Sequence, residues 1–168
     1  MILLVRHGES TLNALGIKYG RLNPGLTERG IEQAHRVALH LDGCVVQVVT
    51  SPLRRAHDFA TIVAHLISAP TPIVIPDLME RAFGAAEGMT PGMIRRLWPD
   101  GDVPGMETYQ DAAARARTAL EPITAPTAVI THAGVIRGLL TLDRSPSNAE
   151  VIEYAPRRHR TPLPTGTR

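Results

Sequence analysis

The chain opens with MILLVRHGES, residues 1–10, and this stretch decides the fold. Four apolar residues at positions 2–5 end at Arg6, His7 and Gly8. A short apolar run predicts a buried strand, and the glycine predicts a turn directly after it. The run is shorter than the roughly 7–15 apolar residues of a secretion signal. We therefore expect the strand to hold His7 at the edge of a sheet, where a negatively charged ligand meets it.

Further short β-rich runs follow at residues 45–49, 73–75, 128–131 and 150–154. Helical patterns lie between them, at residues 28–41 after the cap Thr27, at 53–67 after the cap Ser51, at 93–98, at 107–120 and at 135–142. The predicted buried stripe of the first of these helices comprises Ile31, Ala34, Ala38 and Leu41. Strands that alternate with helices predict an α/β fold, with three layers in the order α/β/α and a mostly parallel central sheet.

The chain has 168 residues, of which 43% are hydrophobic and 20% charged. This length and composition are typical of a single globular domain. Four of the 18 basic residues lie in residues 156–168, which hold no acid, so residues 1–155 carry 14 basic against 16 acidic residues. We therefore divide the chain into a domain at 1–155 and a Pro/Arg-rich disordered tail at 156–168. This charge distribution does not predict a nucleic-acid surface, and no apolar run reaches the roughly 18 residues of a membrane span. The single cysteine, Cys44, is expected to be buried and fits a cytoplasmic protein.

The carboxyl ends of parallel strands form the ligand-binding edge of an open α/β sheet. Three predicted strands end there in polar residues. His7 follows the first strand, Ser51 the second and His132 the third. Arginines accompany them at Arg6 and at positions 54 and 55. Two imidazoles and several guanidinium groups at one edge predict a site for a negatively charged ligand.

Four motifs occur in order along the chain: RHGES followed by Asn13, then SPLRRA, LMERAFGAAEG and THAGVIRGLL. Together they resemble the motifs of the histidine phosphatase superfamily, the phosphoglycerate-mutase-like proteins, from residue 2 to about residue 140. The resemblance implies a phosphoglycerate-mutase-like fold, no cofactor and no metal. It implies that His7 is the nucleophile, Glu80 the proton donor and His132 the second catalytic histidine. It further implies that Arg6, Arg55, His132 and Asn13 bind the substrate phosphate.

Several of these assignments have open alternatives on the sequence alone. Arg54 is the rival of Arg55, and Glu87 is the rival of Glu80. Either acid could instead form a salt bridge with Arg81. Asn13 could equally serve as a helix cap.

The chemistry implied is that of a phosphatase, which hydrolyses a small phosphorylated metabolite through a phosphohistidine. The alternatives are a mutase, which returns the phosphoryl group to its substrate, and a phosphatase of protein phosphohistidine or phosphoserine. A mutase must shield its intermediate from water with a closing lid. Residues 88–109 leave room for only one short helix, which favours the phosphatase. In that segment Met106 stands where the family pattern has glycine.

The outer pocket is expected around residues 12–19, around residues 21–24 and around Trp98. Arg21, Arg95 and Arg96 could favour a second acidic group on the substrate, or be solvated surface charges. The physiological phosphomonoester is not identified by the sequence. The oligomeric state is also open, with a dimer as one alternative.

Overall fold

The computed structural model describes residues 1–155. Its strands are β1 (Ile2–Arg6), β2 (Gln47–Thr50), β3 (Ile73–Val74), β4 (Thr127–Thr131) and β5 (Val151–Tyr154). Its α-helices are α1 (Thr11–Ala14), α2 (Glu28–Leu41), α3 (Arg54–Leu66), α4 (Pro91–Leu97), α5 (Tyr109–Leu120) and α6 (Ala133–Leu140). Two single-turn 3₁₀ helices lie at Pro76–Leu78 and Gly84–Ala86. The predicted tail at 156–168 lies outside the described residues, so the division into domain and tail stays a prediction.

The five strands form one sheet in the order β3-β2-β4-β1-β5. All neighbouring pairs are parallel except β1 and β5, which are antiparallel. Arg6 lies opposite Thr131, and Thr50 lies opposite Ile130. The carboxyl ends of β1, β2 and β4 therefore share one edge of the sheet. The predicted mostly parallel α/β sheet is confirmed.

Successive residues of the strands enter two separate cores, because side chains alternate between the faces of a sheet. Leu4 and Val129 belong to the core that α5 and α6 cover. Val5 and Ile130 belong to the core that α2 and α3 cover. Helices on both faces of the sheet give the three layers expected from the sequence.

Helix α2 begins where the sequence predicts it, because the Thr27 hydroxyl accepts a hydrogen bond from the Gly30 amide at 3.1 Å. The prediction that Ile31 is buried is wrong, since 42% of its surface is exposed. Gly30 instead faces the β1 turn, so close to the Glu9 carbonyl that no Cβ atom would fit. Val37 belongs to the buried stripe of α2, although the sequence prediction did not include it.

Ser51 does not cap α3, contrary to the sequence prediction. The helix begins at Arg54, and the preceding residue, Leu53, makes no side-chain capping bond. The Asn23 side-chain carbonyl accepts the Arg54 amide hydrogen bond at 2.7 Å instead. A cap from a distant loop cannot be predicted from the local sequence. The Ser51 hydroxyl does not cap the helix and contacts His132 instead.

The prediction that Cys44 is buried is also wrong, because its side chain is exposed. It lies in the turn after α2, and β2 begins only at Gln47. The apolar run at 45–49 therefore starts before the strand does. Within residues 1–155 no helix is both long enough and apolar enough to cross a membrane.

Candidate active site

Two histidines face each other across neighbouring strands. Because β1 and β4 are parallel and in register, His7 and His132 leave the sheet side by side. Their ring centroids are 5.1 Å apart, with ring planes inclined by 62°. Both side chains are buried. The structure thus brings together the two histidines that the sequence assigned to one sheet edge.

The tautomer of His7 is set by its own turn. Its Nδ1 lies 2.6 Å from the Gly8 carbonyl oxygen, and a carbonyl can only accept, so Nδ1 carries the proton. Nε2 then keeps a lone pair, and it accepts a hydrogen bond from Arg55 Nε at 3.2 Å. Burial, Arg55 and Arg6 together hold the pKa of His7 well below its usual value, although the Gly8 hydrogen bond acts in the opposite direction. His7 is therefore a neutral imidazole whose basic nitrogen faces a guanidinium group.

Arg55, and not Arg54, lies at the histidines. Its side chain is fully buried. Its two terminal nitrogens donate to the carbonyls of Leu22 and Gly20, each at 2.8 Å. These bonds fix the guanidinium in place with a positive charge beside His7. The neighbouring Arg54 points outward and pairs with Asp58 at 3.3 Å.

Arg6 and Asn13 line a cleft that Ala133, the residue after His132, also lines. Arg6 donates to the Pro146 carbonyl at 2.6 Å, while its Nε is buried with no partner among the described residues. The Asn13 side-chain oxygen accepts from the Ser10 amide and from Asn148 Nδ2, both at 3.2 Å. Asn13 is thus part of the capping box of α1 as well as a cleft residue. Because its oxygen is occupied, its NH₂ group is the end left for a ligand.

Glu80 lies next to the second histidine, and its side chain is only 7% exposed. Its two oxygens accept from the Arg81 amide at 2.8 Å and from the Gly134 amide at 3.2 Å. Glu80 also lines the cleft. The rival acid, Glu87, is not among the cleft residues; its carboxylate accepts from the Arg21 amide at 2.9 Å and braces a loop. Neither acid forms a salt bridge with the Arg81 guanidinium among the described residues.

A third carboxylate, Glu107, holds the segment that carries Glu80. It binds Arg115 at 2.8 Å and Arg21 at 3.2 Å. Both arginines also donate to the Glu80 main-chain carbonyl, at 3.3 Å and 3.2 Å. Burial raises the pKa of Glu107, but the hydrogen bonds from Arg115 and Ala82 outweigh it and keep the pKa below its usual value. Sequence reasoning missed these contacts of Glu107. The PGMET stretch, which contains Glu107, was the signal that could have indicated them.

Ser51 orients His132, and sequence reasoning missed this contact as well. His132 Nε2 lies 2.8 Å from the Ser51 hydroxyl, which already accepts from the Leu53 amide at 3.2 Å. When the hydroxyl donates its proton to Nε2, the His132 proton lies on Nδ1. That Nδ1 is buried and has no partner among the described residues. The pKa of His132 lies well below its usual value. The largest cause is burial, followed by the nearby charges of Arg55 and His7.

The cleft that Arg6, Asn13 and Glu80 line is open to solvent. Of the predicted outer pocket, Ile17, Lys18 and Tyr19 do line it, whereas Trp98 does not. Arg21 is engaged by Glu107 and so is not free for substrate. Residues 145–148, which the sequence did not single out, close one side through Ser145 and the contacts of Pro146 and Asn148. Within residues 1–155 no cluster of three or more His, Cys, Asp or Glu side chains is arranged to hold a metal ion.

Comparisons with known proteins identify the family. The family model of the histidine phosphatase superfamily (branch 1) matches residues 2–156. The chain is 33% identical over 164 residues to a metal-independent phosphoserine phosphatase of Arabidopsis thaliana, covering 82% of this chain and 66% of that protein. It is 35% identical over 158 residues to a bifunctional protein of Mycobacterium tuberculosis, covering 84% of this chain and 43% of that protein. This chain belongs to the histidine phosphatase superfamily.

A solved structure agrees with this assignment. A mycobacterial glucosyl-3-phosphoglycerate phosphatase in complex with VO3 superposes with a TM-score of 0.79 at 26% identity, covering 89% of this chain and 88% of that one. The phosphoglycerate-mutase-like fold is therefore confirmed. The chain spans about two thirds of the length of the Arabidopsis relative and less than half of the mycobacterial bifunctional protein.

Proposed function

We propose that this protein is a phosphatase that hydrolyses a small phosphomonoester through a phosphohistidine on His7, with Glu80 as the proton donor and acceptor. The observation that carries the proposal is the state of His7. Its Nδ1 is tied to the Gly8 carbonyl, and its Nε2 holds a lone pair beside the buried Arg55. A neutral nitrogen next to a fixed positive charge is what attack on a phosphate dianion requires.

In the first half-reaction the Nε2 lone pair of His7 forms a bond to phosphorus, while the bond from phosphorus to the ester oxygen breaks. The leaving oxygen takes the proton of the Glu80 carboxylic acid. Arg55 exchanges its hydrogen bond to Nε2 for one to a phosphoryl oxygen. Arg6, Asn13 and the Nδ1–H of His132 donate to the remaining oxygens as charge spreads over them.

In the second half-reaction water attacks phosphorus and gives its proton to Glu80. The phosphorus–nitrogen bond breaks, its electron pair returns to Nε2, and inorganic phosphate leaves. Glu80 is then protonated again for the next cycle. Its position 3.2 Å from the Gly134 amide supports this role, because that amide follows His132 by two residues and keeps the carboxylate at the phosphate edge.

The proposal is tested by comparing His7→Ala with His35→Ala, whose side chain is on the exposed face of α2. With 4-nitrophenyl phosphate and free phosphoserine, we expect His7→Ala to lose at least about 10³-fold in kcat/KM and His35→Ala to lose less than twofold. A quench of the unmodified protein should trap an acid-labile, base-stable phosphoenzyme that His7→Ala lacks. Turnover retained in His7→Ala would contradict the assignment.

The short segment before α5 favours phosphatase over mutase activity. Between Gly88 and Tyr109 it contains the seven-residue helix α4 alone, with no buried residue in that helix. Such a segment offers little to exclude water from the phosphoenzyme. Incubation with 3-phosphoglycerate, with and without 2,3-bisphosphoglycerate, separates the alternatives. We expect released phosphate, and isomerised product without phosphate release would identify a mutase.

A further inference from the structure

A second cavity extends the phosphate cleft towards α4. It encloses about 610 Å³, open solvent included. Lys18, Arg81, Phe83 and Tyr109 line both cavities, so the two cavities are direct neighbours. We call the two cavities together the groove, and the second of them the distal chamber. Arg6 and Glu80 line the first cavity, so a leaving group longer than a few atoms has this groove to extend into when its phosphate is bound beside them.

The distal chamber has an apolar floor. Pro91 and Ile94 of α4 and Met106 of the loop before α5 contribute to it. The rings of Phe83 and Tyr109 stand at its entrance, with the Arg81 guanidinium carbon 4.7 Å and 4.2 Å from their centroids. Because Arg81 also donates to the Glu107 carbonyl at 2.6 Å, the stack of guanidinium and rings is held in place. Such a surface favours contact with a flat or apolar group.

The charge along the groove is positive. Lys18, Arg81 and Arg95 line the distal chamber, and no Asp or Glu is among its lining residues. Lys18 and Arg95 form no salt bridge within the part of the chain that the structure describes. The Lys18 backbone is fixed to the loop before α4 by hydrogen bonds with Met89 and Gly88, at 2.8 Å and 2.7 Å. Lys18 at the junction of the two cavities and Arg95 on α4 therefore attract an anion to the distal chamber.

We propose that the leaving group of the substrate has an apolar or aromatic body and a second anionic group, which Lys18 and Arg95 bind in the distal chamber. This inference rests on the proposed phosphatase function. Of the three arginines in the sequence hypothesis it keeps Arg95, omits Arg21 and Arg96, and adds Lys18. Arg21 is bound by Glu107, and Arg96 lines neither cavity.

The test uses two esters that differ only in charge at the far end: 4-(carboxymethyl)phenyl phosphate and its neutral amide, 4-(carbamoylmethyl)phenyl phosphate. We expect kcat/KM to be about three- to tenfold higher for the carboxylate, as two partly exposed ion pairs would give. Lys18→Gln combined with Arg95→Gln should bring this ratio to about one. The control Arg96→Gln changes a neighbouring charge on α4 and should keep the ratio. Raising the salt concentration should lower the ratio in the unmodified protein, because salt screens exposed charges.

The apolar body is tested with the product alcohol. We expect 4-hydroxyphenylacetate to inhibit competitively at concentrations where acetate does not. If neither ester releases phosphate, the phosphatase proposal fails and this inference fails with it. If both esters are hydrolysed with the same kcat/KM, or if the double variant keeps the ratio, the distal anion site is refuted while the phosphatase stands. Equal inhibition by acetate and 4-hydroxyphenylacetate would refute the apolar part.

Discussion

Gly134→Ala provides a test of Glu80 that leaves the carboxyl group chemically intact. A Cβ atom built on Gly134 would lie well inside 3.0 Å of Glu80 Oε1, a separation that real Cβ atoms essentially never show. It would also lie 3.1 Å from Arg81 Cγ, so the carboxylate has little room beside it. Glu80 Oε1 must therefore withdraw by about half an ångström or more, which shifts the whole carboxylate and disturbs the bond of Oε1 to the Arg81 amide and that of Oε2 to the Gly134 amide. A displacement of about 1 Å at a reacting group costs up to about 10²-fold in rate.

The loss should depend on the leaving group. A phenolate such as 4-nitrophenolate leaves without a proton, whereas an alkoxide requires one. We expect kcat/KM of Gly134→Ala to fall by about 10²-fold for an alkyl ester such as 2-phenylethyl phosphate, and by less than about fivefold for 4-nitrophenyl phosphate. The parameter kcat/KM is the one to compare, because it reports the first phosphoryl transfer, before Glu80 acts as a base.

Folding should not account for the loss. Gly134 is the second residue of α6, and alanine is favoured over glycine in helices by about 1 kcal/mol. The matched control is Gly92→Ala, at the second position of α4, where the nearest atom to the added Cβ is 4.0 Å away. Equal losses on both esters, or unchanged activity in a folded Gly134→Ala protein, would refute the role of Glu80 as the acid.

Three further predictions concern the buried charges and the core. Arg55→Lys should reduce kcat/KM for phosphate release by about 10²-fold or more, because lysine cannot keep the two backbone bonds and the bond to the histidine, whereas Arg54→Lys should change it less than twofold. The unfolded chain takes up protons on His7 and His132 near pH 6.5, but the folded protein does so only at lower pH. The free energy of unfolding should therefore be higher above that pH and fall below it. Urea unfolding at pH 7.5 and 5.5 should show a decrease of about 1.4 kcal/mol per histidine, and the His7→Asn/His132→Asn variant should not show this decrease. Phe59→Ala should lower the free energy of unfolding by about 3–5 kcal/mol in the same assay, since Phe59 is fully buried in the core beneath α2 and α3, and a loss below 1 kcal/mol would contradict this packing.

The sequence alone was sufficient to predict the mostly parallel sheet and to place the two histidines at the same edge of it. Short apolar runs that end in polar turns define strands locally, and helices between them require parallel neighbours. Parallel strands end at the same edge, so His7 and His132 had to lie at one edge whatever the details of packing. The tautomer of His7 was not determined by the sequence, because only the folded turn places the Gly8 carbonyl oxygen 2.6 Å from Nδ1.

The tertiary structure decided which of several equivalent side chains face the site. Arg54 and Arg55 are adjacent on a helix and point about 100° apart, so only the packing of α3 determines which one reaches His7. Ser51 satisfied the local pattern of a helix cap, yet the side-chain oxygen of Asn23, from another loop, accepts the hydrogen bond of the Arg54 amide instead. Asn148 reaches the His7 carbonyl across 141 positions of sequence. Contacts of this kind depend on where the chain returns in space, which a local pattern of residues does not encode.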